Sequence, residues 1–158
     1  MRKPRIYLET TVFNYYFDTD RDGHADTIKL FAEIKTGKYE AYTSVYVTDE
    51  LVKADEPKRS KMLNLIAEHG ITLLNYSDEA QDLAEIYVKE GVIPASKQLD
   101  SVHIACAVVH DLELIFSFNF KHINRIKTKT MTSLINAREG YKPVTITVPA
   151  EVIEHDDE

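Results

Sequence analysis

Short runs of β-branched and aromatic residues alternate along this chain with segments whose apolar residues recur every three to four positions. Segments 5–8, 39–44, 71–75, 113–118 and 144–148 read as strands. Between them, 12–17 starts a helix or a tight turn, and 26–36 reads as a helix with Ile28, Leu30, Phe31 and Ile34 in its stripe. A helical segment after 44 carries Val45, Val47, Leu51 and Val52, and Pro57 interrupts or restarts it. Segment 58–69 turns Met62, Leu65 and Ile66 inward, 78–90 does the same with Leu83, Ile86 and Tyr87, and a further helix covers 97–110. Gly37, Gly70 and Gly91 read as stops, and Ser77 or Asp78 as a cap. Parallel strands need crossover connections, so this alternation predicts an α/β fold, a parallel sheet with helices on both faces.

The chain has 158 residues and a net charge of −7, enough length for one domain with a real core and no global field drawing it to polyanions or membranes. We expect a single domain over 1–150 and an acidic tail over 151–158, with the stretch from His155 to Glu158 disordered. The apolar runs are too short to span a bilayer, and Met1-Arg2-Lys3-Pro4 leads into a strand without an apolar signal core. Cys106 is the single cysteine, which excludes an internal disulfide; its apolar neighbours make it a small core residue, and a cytoplasmic location is expected.

In open α/β sheets the working cleft lies beyond the carboxyl ends of the strands. Glu9 follows the first strand, Glu50 lies about a turn and a half beyond Ser44 at the end of the second, and Asn119 ends the strand at 113–118. Glu9 also has a plainer reading, as the cap of the helix that follows it. Asp100 stands near the start of helix 97–110 in Leu99-Asp100-Ser101-Val102-His103-Ile104-Ala105-Cys106-Ala107. That helix runs antiparallel to the sheet, which suggests the far side, and the alternation alone leaves the position of Asp100 open. Asp18, Asp20, Asp22 and Gly23 imitate the opening of a calcium loop, but the twelfth position, a bidentate Glu in such loops, is Lys29. We read a solvated loop that caps the next helix.

Four motifs in order, Ile6-Tyr7-Leu8-Glu9-Thr10-Thr11, Ser44 through Glu50, Asp100-Ser101-Val102-His103-Ile104-Ala105 and Ser117-Phe118-Asn119-Phe120-Lys121-His122-Ile123, resemble those of PIN-domain proteins. These are metal-dependent ribonucleases that include the VapC-type toxins of toxin–antitoxin pairs. Gly140-Tyr141-Lys142-Pro143 and Pro149-Ala150-Glu151 extend the resemblance to nearly the whole chain. It implies a PIN-like three-layer fold, a sheet of about five parallel strands, and an acidic constellation of Glu9, Glu50 and Asp100 with Asn119 in the fourth position. The first acid of the family is usually Asp and the fourth position often Asp, so Glu9 and Asn119 mark a variant branch. The resemblance further implies Mg2+ or Mn2+, an RNA substrate, a cognate antitoxin protein and a homodimer.

The chemistry explains the residue types. Phosphodiester hydrolysis builds negative charge that a hard divalent ion neutralises, and such ions take carboxylate, amide-carbonyl and water oxygens. Thr10 and Thr11 are placed to orient Glu9 or a metal-bound water. His103 lies one turn after Asp100 on the same face and reads equally as a hydrogen-bonded histidine near the core. Lys121 and His122 read as phosphate contacts or as part of a solvated loop. Between Glu113 and Glu139 there is no acid, while Lys121, Arg125, Lys127, Lys129 and Arg138 all fall there, a patch for single-stranded or looped RNA or a solvated face. Val12, Phe13, Tyr15 and Tyr16 are candidates for a partner surface, which core packing explains as well. Two other classes stay open: a catalytically weak PIN-like module binding RNA or a protein partner, and an acidic-pocket phosphoacceptor domain.

Overall fold

The computed structural model describes residues 2–155. Its five strands are β1 (Arg5–Leu8), β2 (Glu40–Ser44), β3 (Thr72–Leu74), β4 (Leu114–Phe116) and β5 (Thr145–Thr147). They form one sheet in the order β3-β2-β1-β4-β5, with every neighbouring pair parallel. Among the described residues the α-helices are α1 (Thr10–Phe17), α2 (His24–Lys35), α3 (Val45–Leu51), α4 (Lys58–Glu68), α5 (Asp78–Lys89), α6 (Gln98–Val109) and α7 (Ile126–Arg138). Ile6, Tyr7 and Leu8 of central β1 are all fully buried. Successive strand residues point to opposite faces, so both faces of the sheet are covered, as the alternation predicted.

The polarity of α6 resolves the position of Asp100. A helix that leads into a parallel strand runs antiparallel to the sheet, and so begins at the edge where the strands end. Asp100 in the first turn of α6 therefore lies on the cleft side, and the suggestion of the far side is corrected. From Ser101 to Val108 the helix is buried at every position, so α6 is enclosed all round and packs mainly on α5. At β2 the chain passes into α3 without a loop. Ser44 ends the strand and caps the helix, its Oγ accepting from Val47 N at 3.4 Å.

Ser77, rather than Asp78, caps α5, accepting from Ala80 N at 3.1 Å. The loop before α2 departs from expectation. No side chain caps the helix; its N-cap is Gly23, at φ +96°. A Cβ on Gly23 would meet Phe118 Cε1 at 2.7 Å, so close approach of a ring, not a capping carboxylate, shapes this turn. Phe118 stacks on Tyr15 with centroids 3.8 Å apart, and Asp18 pairs instead with Lys58 Nζ at 2.9 Å. Ile28 is 37 % exposed and Val52 48 %, so both leave the stripes assigned to them. Val12 and Phe13 are fully buried and belong to the core; Tyr15 and Tyr16 are half-buried against it.

Helix α7 has no counterpart in the sequence reading. Its buried positions are Thr128, Thr132, Ile135 and Asn136, while Ile126 and Leu134 are exposed. At the C-terminal end Ile153 is buried and Glu154 N donates to Glu33 Oε2 at 2.9 Å. Of the tail expected to be disordered, His155 is placed, with Nε2 2.9 Å from Ala150 O; 156–158 lie outside the described residues.

Candidate active site

Three strands deliver the site. In the order β3-β2-β1-β4-β5 the chain adds strands outward on one side of β1 and then returns to its other side at β4. That reversal is where open α/β sheets form their crevice. Glu9 follows β1, Glu50 lies on α3 directly after β2, and Ser117 to Asn119 follow β4. Glu9 N donates to Phe116 O at 3.1 Å, so the first acid is hydrogen-bonded to the strand that ends beside it.

Glu9 is only 3 % exposed, and its hydrogen bonds converge on one oxygen. Oε1 accepts from Thr11 N at 3.3 Å, Thr11 Oγ1 at 2.6 Å and Ser117 Oγ at 2.7 Å. The bond from Thr11 N makes Glu9 the N-cap of α1, so its capping and site readings coexist. Glu50 is arranged alike: Oε1 accepts from Thr10 Oγ1 at 2.5 Å and pairs with His103 Nε2 at 2.7 Å. Thr11 thus orients Glu9, while Thr10, expected to serve the same acid, orients Glu50.

His103 is fully buried and both ring nitrogens are engaged, Nε2 with Glu50 and Nδ1 with Tyr7 Oη at 2.8 Å. Tyr7 Oη lies 2.7 Å from Ser44 Oγ. Burial pulls the imidazole down, but the bond to Glu50 and the charges of Glu9, Glu50 and Asp100 outweigh it and leave its pKa raised. Burial pushes Glu50 up, and His103 and Thr10 more than offset that, leaving it lowered. Ligand atoms of Glu9, Glu50 and His103 all lie within 4.8 Å of one another. Both nitrogens of His103 are taken up by hydrogen bonds, so His103 holds Glu50 and the oxygens of the two acids are left as donors.

Asp100 does not join that tight group among the described residues. It lines, with Glu50, Asn119, Lys97, Lys121 and His122, an open cavity of about 460 Å3. Asn119 Oδ1 accepts from His122 N at 3.0 Å, and Asn119 N donates to Ser117 Oγ at 3.0 Å, which fixes the turn after β4. Burial raises the Asp100 carboxyl above its ordinary value against the pull of His103, Asn119 and His122. Burial likewise raises Glu9, against His103 and the donors Thr11 and Ser117. Glu9 and Asp100, whose charge the protein leaves under-compensated, together with the spare oxygens of Glu9 and Glu50, fit a hard divalent cation.

All nine residues singled out in the sequence are therefore placed in or against one cleft. Glu50, Asp100, Asn119, Lys121 and His122 line it; Glu9 lies within ligand distance of Glu50; Thr10, Thr11 and His103 hold the acids. Tyr7, Ser44, Ser117 and Lys97 also belong to this region. The first three are polar side chains inside or ending apolar strands, a position that demands a partner. Lys97 carries no sequence signal beyond its nearness to Asp100.

The family model for the PIN domain matches residues 6–128. No curated protein matches the chain in sequence. Among solved structures, similarity extends to VapC20 of Mycobacterium tuberculosis, described as a sarcin-ricin loop cleaving toxin, at a TM-score of 0.58 and 12 % identity over 77 % of this chain and 97 % of that one. A toxin–antitoxin complex from Klebsiella pneumoniae gives 0.59 and 14 % over 91 % and 97 %, and VapBC2 from Rickettsia felis, bound to a DNA fragment from its promoter, gives 0.54 and 13 % over 77 % and 92 %.

Proposed function

The chain belongs to the PIN domain family, and from that premise we propose that it is a metal-dependent endoribonuclease, the toxin of a toxin–antitoxin pair. The observation that carries this reading is the pairing of Glu9 and Glu50, each committing one oxygen to protein donors, beside a cleft that Asp100 and Asn119 complete. Three carboxylates and one amide oxygen would hold Mg2+ or Mn2+. When bound, such an ion supplies charge neutralisation and Lewis acidity to a phosphodiester. The protein's own part is positional. Thr11 and Ser117 fix Glu9, Thr10 and the His103–Tyr7–Ser44 chain fix Glu50, Lys97 and Lys121 offer positive charge to the RNA phosphates, and His122 lines the same cavity. The toxin–antitoxin assemblies among the structural relatives support a cognate antitoxin as partner. A homodimer and a cytoplasmic location complete the proposal; among the described residues no helix is long and apolar enough to cross a membrane.

Cleavage of a panel of labelled RNAs by wild type and Asp100→Asn, in Mg2+, Mn2+ and EDTA, tests it. Cutting that requires metal and falls at least about 100-fold in the variant is expected, as for loss of a group stabilising transition-state charge. No cutting by folded wild type in either metal moves the assignment to a binding module. Equal cutting by both proteins removes Asp100 from the site.

A further inference from the structure

The acidic cleft continues into a second cavity of about 270 Å3, and His122 lines both. Two segments form the banks of this trough. On one side Pro94 and Ala95 line the second cavity, while Ser96 and Lys97, next in sequence, line the first. On the other, Lys121 and His122 line the first, and His122, Arg125 and Lys127 the second. The charge changes sign along it. Glu50 and Asp100 stand in the first cavity; among the described residues the second has no carboxylate in its lining, and combines three basic side chains with an apolar wall from the loop at 91–95. Arg125 is steadied there by Nη1 donating to Lys121 O at 3.2 Å.

We propose that this second cavity is a nucleotide subsite, which receives an unpaired base and its phosphate next to the scissile bond of a single-stranded RNA. The inference rests on the nuclease reading and adds a determinant of where that nuclease cuts. An apolar wall suits the face of a base, and Arg125 and Lys127 suit its phosphate. The volume lies just below the ~300–1,000 Å3 of ordinary small-ligand sites, room for a single splayed base. A-form duplex keeps its bases stacked and its major groove closed to side chains, so it has nothing to insert. The other cations of the basic stretch are placed elsewhere. Lys129 lines a separate groove with Thr132 and Val144, and Arg138 is tied to Glu90 and Glu139.

The test uses the full chain with a short, labelled, mixed-sequence single-stranded RNA, in EDTA for binding and in Mn2+ for cleavage. Arg125→Gln/Lys127→Gln is expected to weaken binding about tenfold and to reduce the slope of log K against log salt by about 0.7, one single-strand phosphate. Lys129→Gln, on the same helix but outside the cavity, should change Kd less than twofold. Ala95→Trp, at an exposed position, fills the cavity and is expected to redistribute the cut sites while melting within a few degrees of wild type. The subsite is overturned if the double variant binds as wild type does, if Lys129→Gln weakens binding as much as the double variant, or if Ala95→Trp keeps the wild-type cut pattern. Those results with an active wild type refute the subsite alone. A folded wild type that neither binds nor cuts RNA removes the nuclease reading as well, and the subsite with it.

Discussion

Replacing Ser117 by Ala separates the charge of Glu9 from the rest of the core. Ser117 is fully buried, donates to Glu9 Oε1 at 2.7 Å and accepts from Asn119 N at 3.0 Å. A hydrogen bond to a charged group contributes about 1.5–3 kcal/mol, and the loosened amide of half-buried Asn119 adds up to about 1 kcal/mol, so Ser117→Ala should cost about 2–4 kcal/mol near neutral pH. For a domain of this size that lowers Tm by about 5–12 °C. The cost should depend on pH in a defined direction. The folded pKa of Glu9 is raised, so its contribution to stability is complete below the ordinary value of 4.5 and is lost as pH rises through the raised value. Ser117→Ala removes a bond that favours the charged form and moves that carboxyl higher still. Its deficit relative to wild type is therefore small at pH 4 and grows as pH rises. Urea unfolding in EDTA across this range reads it directly, and a cycle with Glu9→Gln isolates the pair. A coupling below about 0.5 kcal/mol at pH 8, or a deficit that does not grow with pH, would refute the assignment of Ser117 as the donor that keeps Glu9 charged.

Other consequences lie outside the acids of the cleft. Glu33 accepts from Tyr39 Oη at 2.8 Å and from Glu154 N at 2.9 Å, and its pKa is lowered, with the bonds from Glu154 and Tyr39 outweighing burial. Glu33→Gln should cost about 1–3 kcal/mol at pH 7, with the difference vanishing as pH falls below the lowered value, measured by urea unfolding. Gly23→Ala puts a methyl 2.7 Å from the Phe118 ring in a left-handed conformation, and should lower stability by about 1–3 kcal/mol and RNA cleavage with it, since Phe118 precedes Asn119. Cys106 is fully buried and its thiol is pushed up to about 12 by burial, so it should resist alkylation at pH 8 in native protein and react on unfolding, as thiol titration will show.

What the sequence revealed follows from which signals survive the physics of burial. β1 and the inward faces of α4 and α5 were legible because their cores are built from Ile, Leu, Met and Tyr at regular spacing. Helix α7 was not, because its buried side is largely polar. Thr128 Oγ1 donates to His122 O, Thr132 Oγ1 to Thr128 O, and Asn136 bonds to Tyr87, while Ile126 and Leu134 lie outward. A periodicity read from apolar residues has no hold on such a helix. In the cleft, Glu9, Glu50 and Asn119 could be placed from strand ends alone. Asp100 needed the direction of α6, and the sorting of Thr10 to Glu50 and Thr11 to Glu9 depends on side-chain geometry that no spacing encodes. The roles of Ser117 and Tyr7 were hidden because a lone hydroxyl in an apolar strand signals a partner without saying which.

The bond from Ser117 to Glu9 closes a loop of 108 residues. During synthesis, at about 5–20 residues per second, Glu9 waits roughly 5–20 s for the hydroxyl that holds it. Until β4 inserts beside β1, Glu9 lacks both the Ser117 hydroxyl and the backbone bond to Phe116 O. The topology thus imposes an order on assembly: a fragment ending before residue 117 lacks the hydroxyl that holds Glu9, the turn that carries Asn119, and β5.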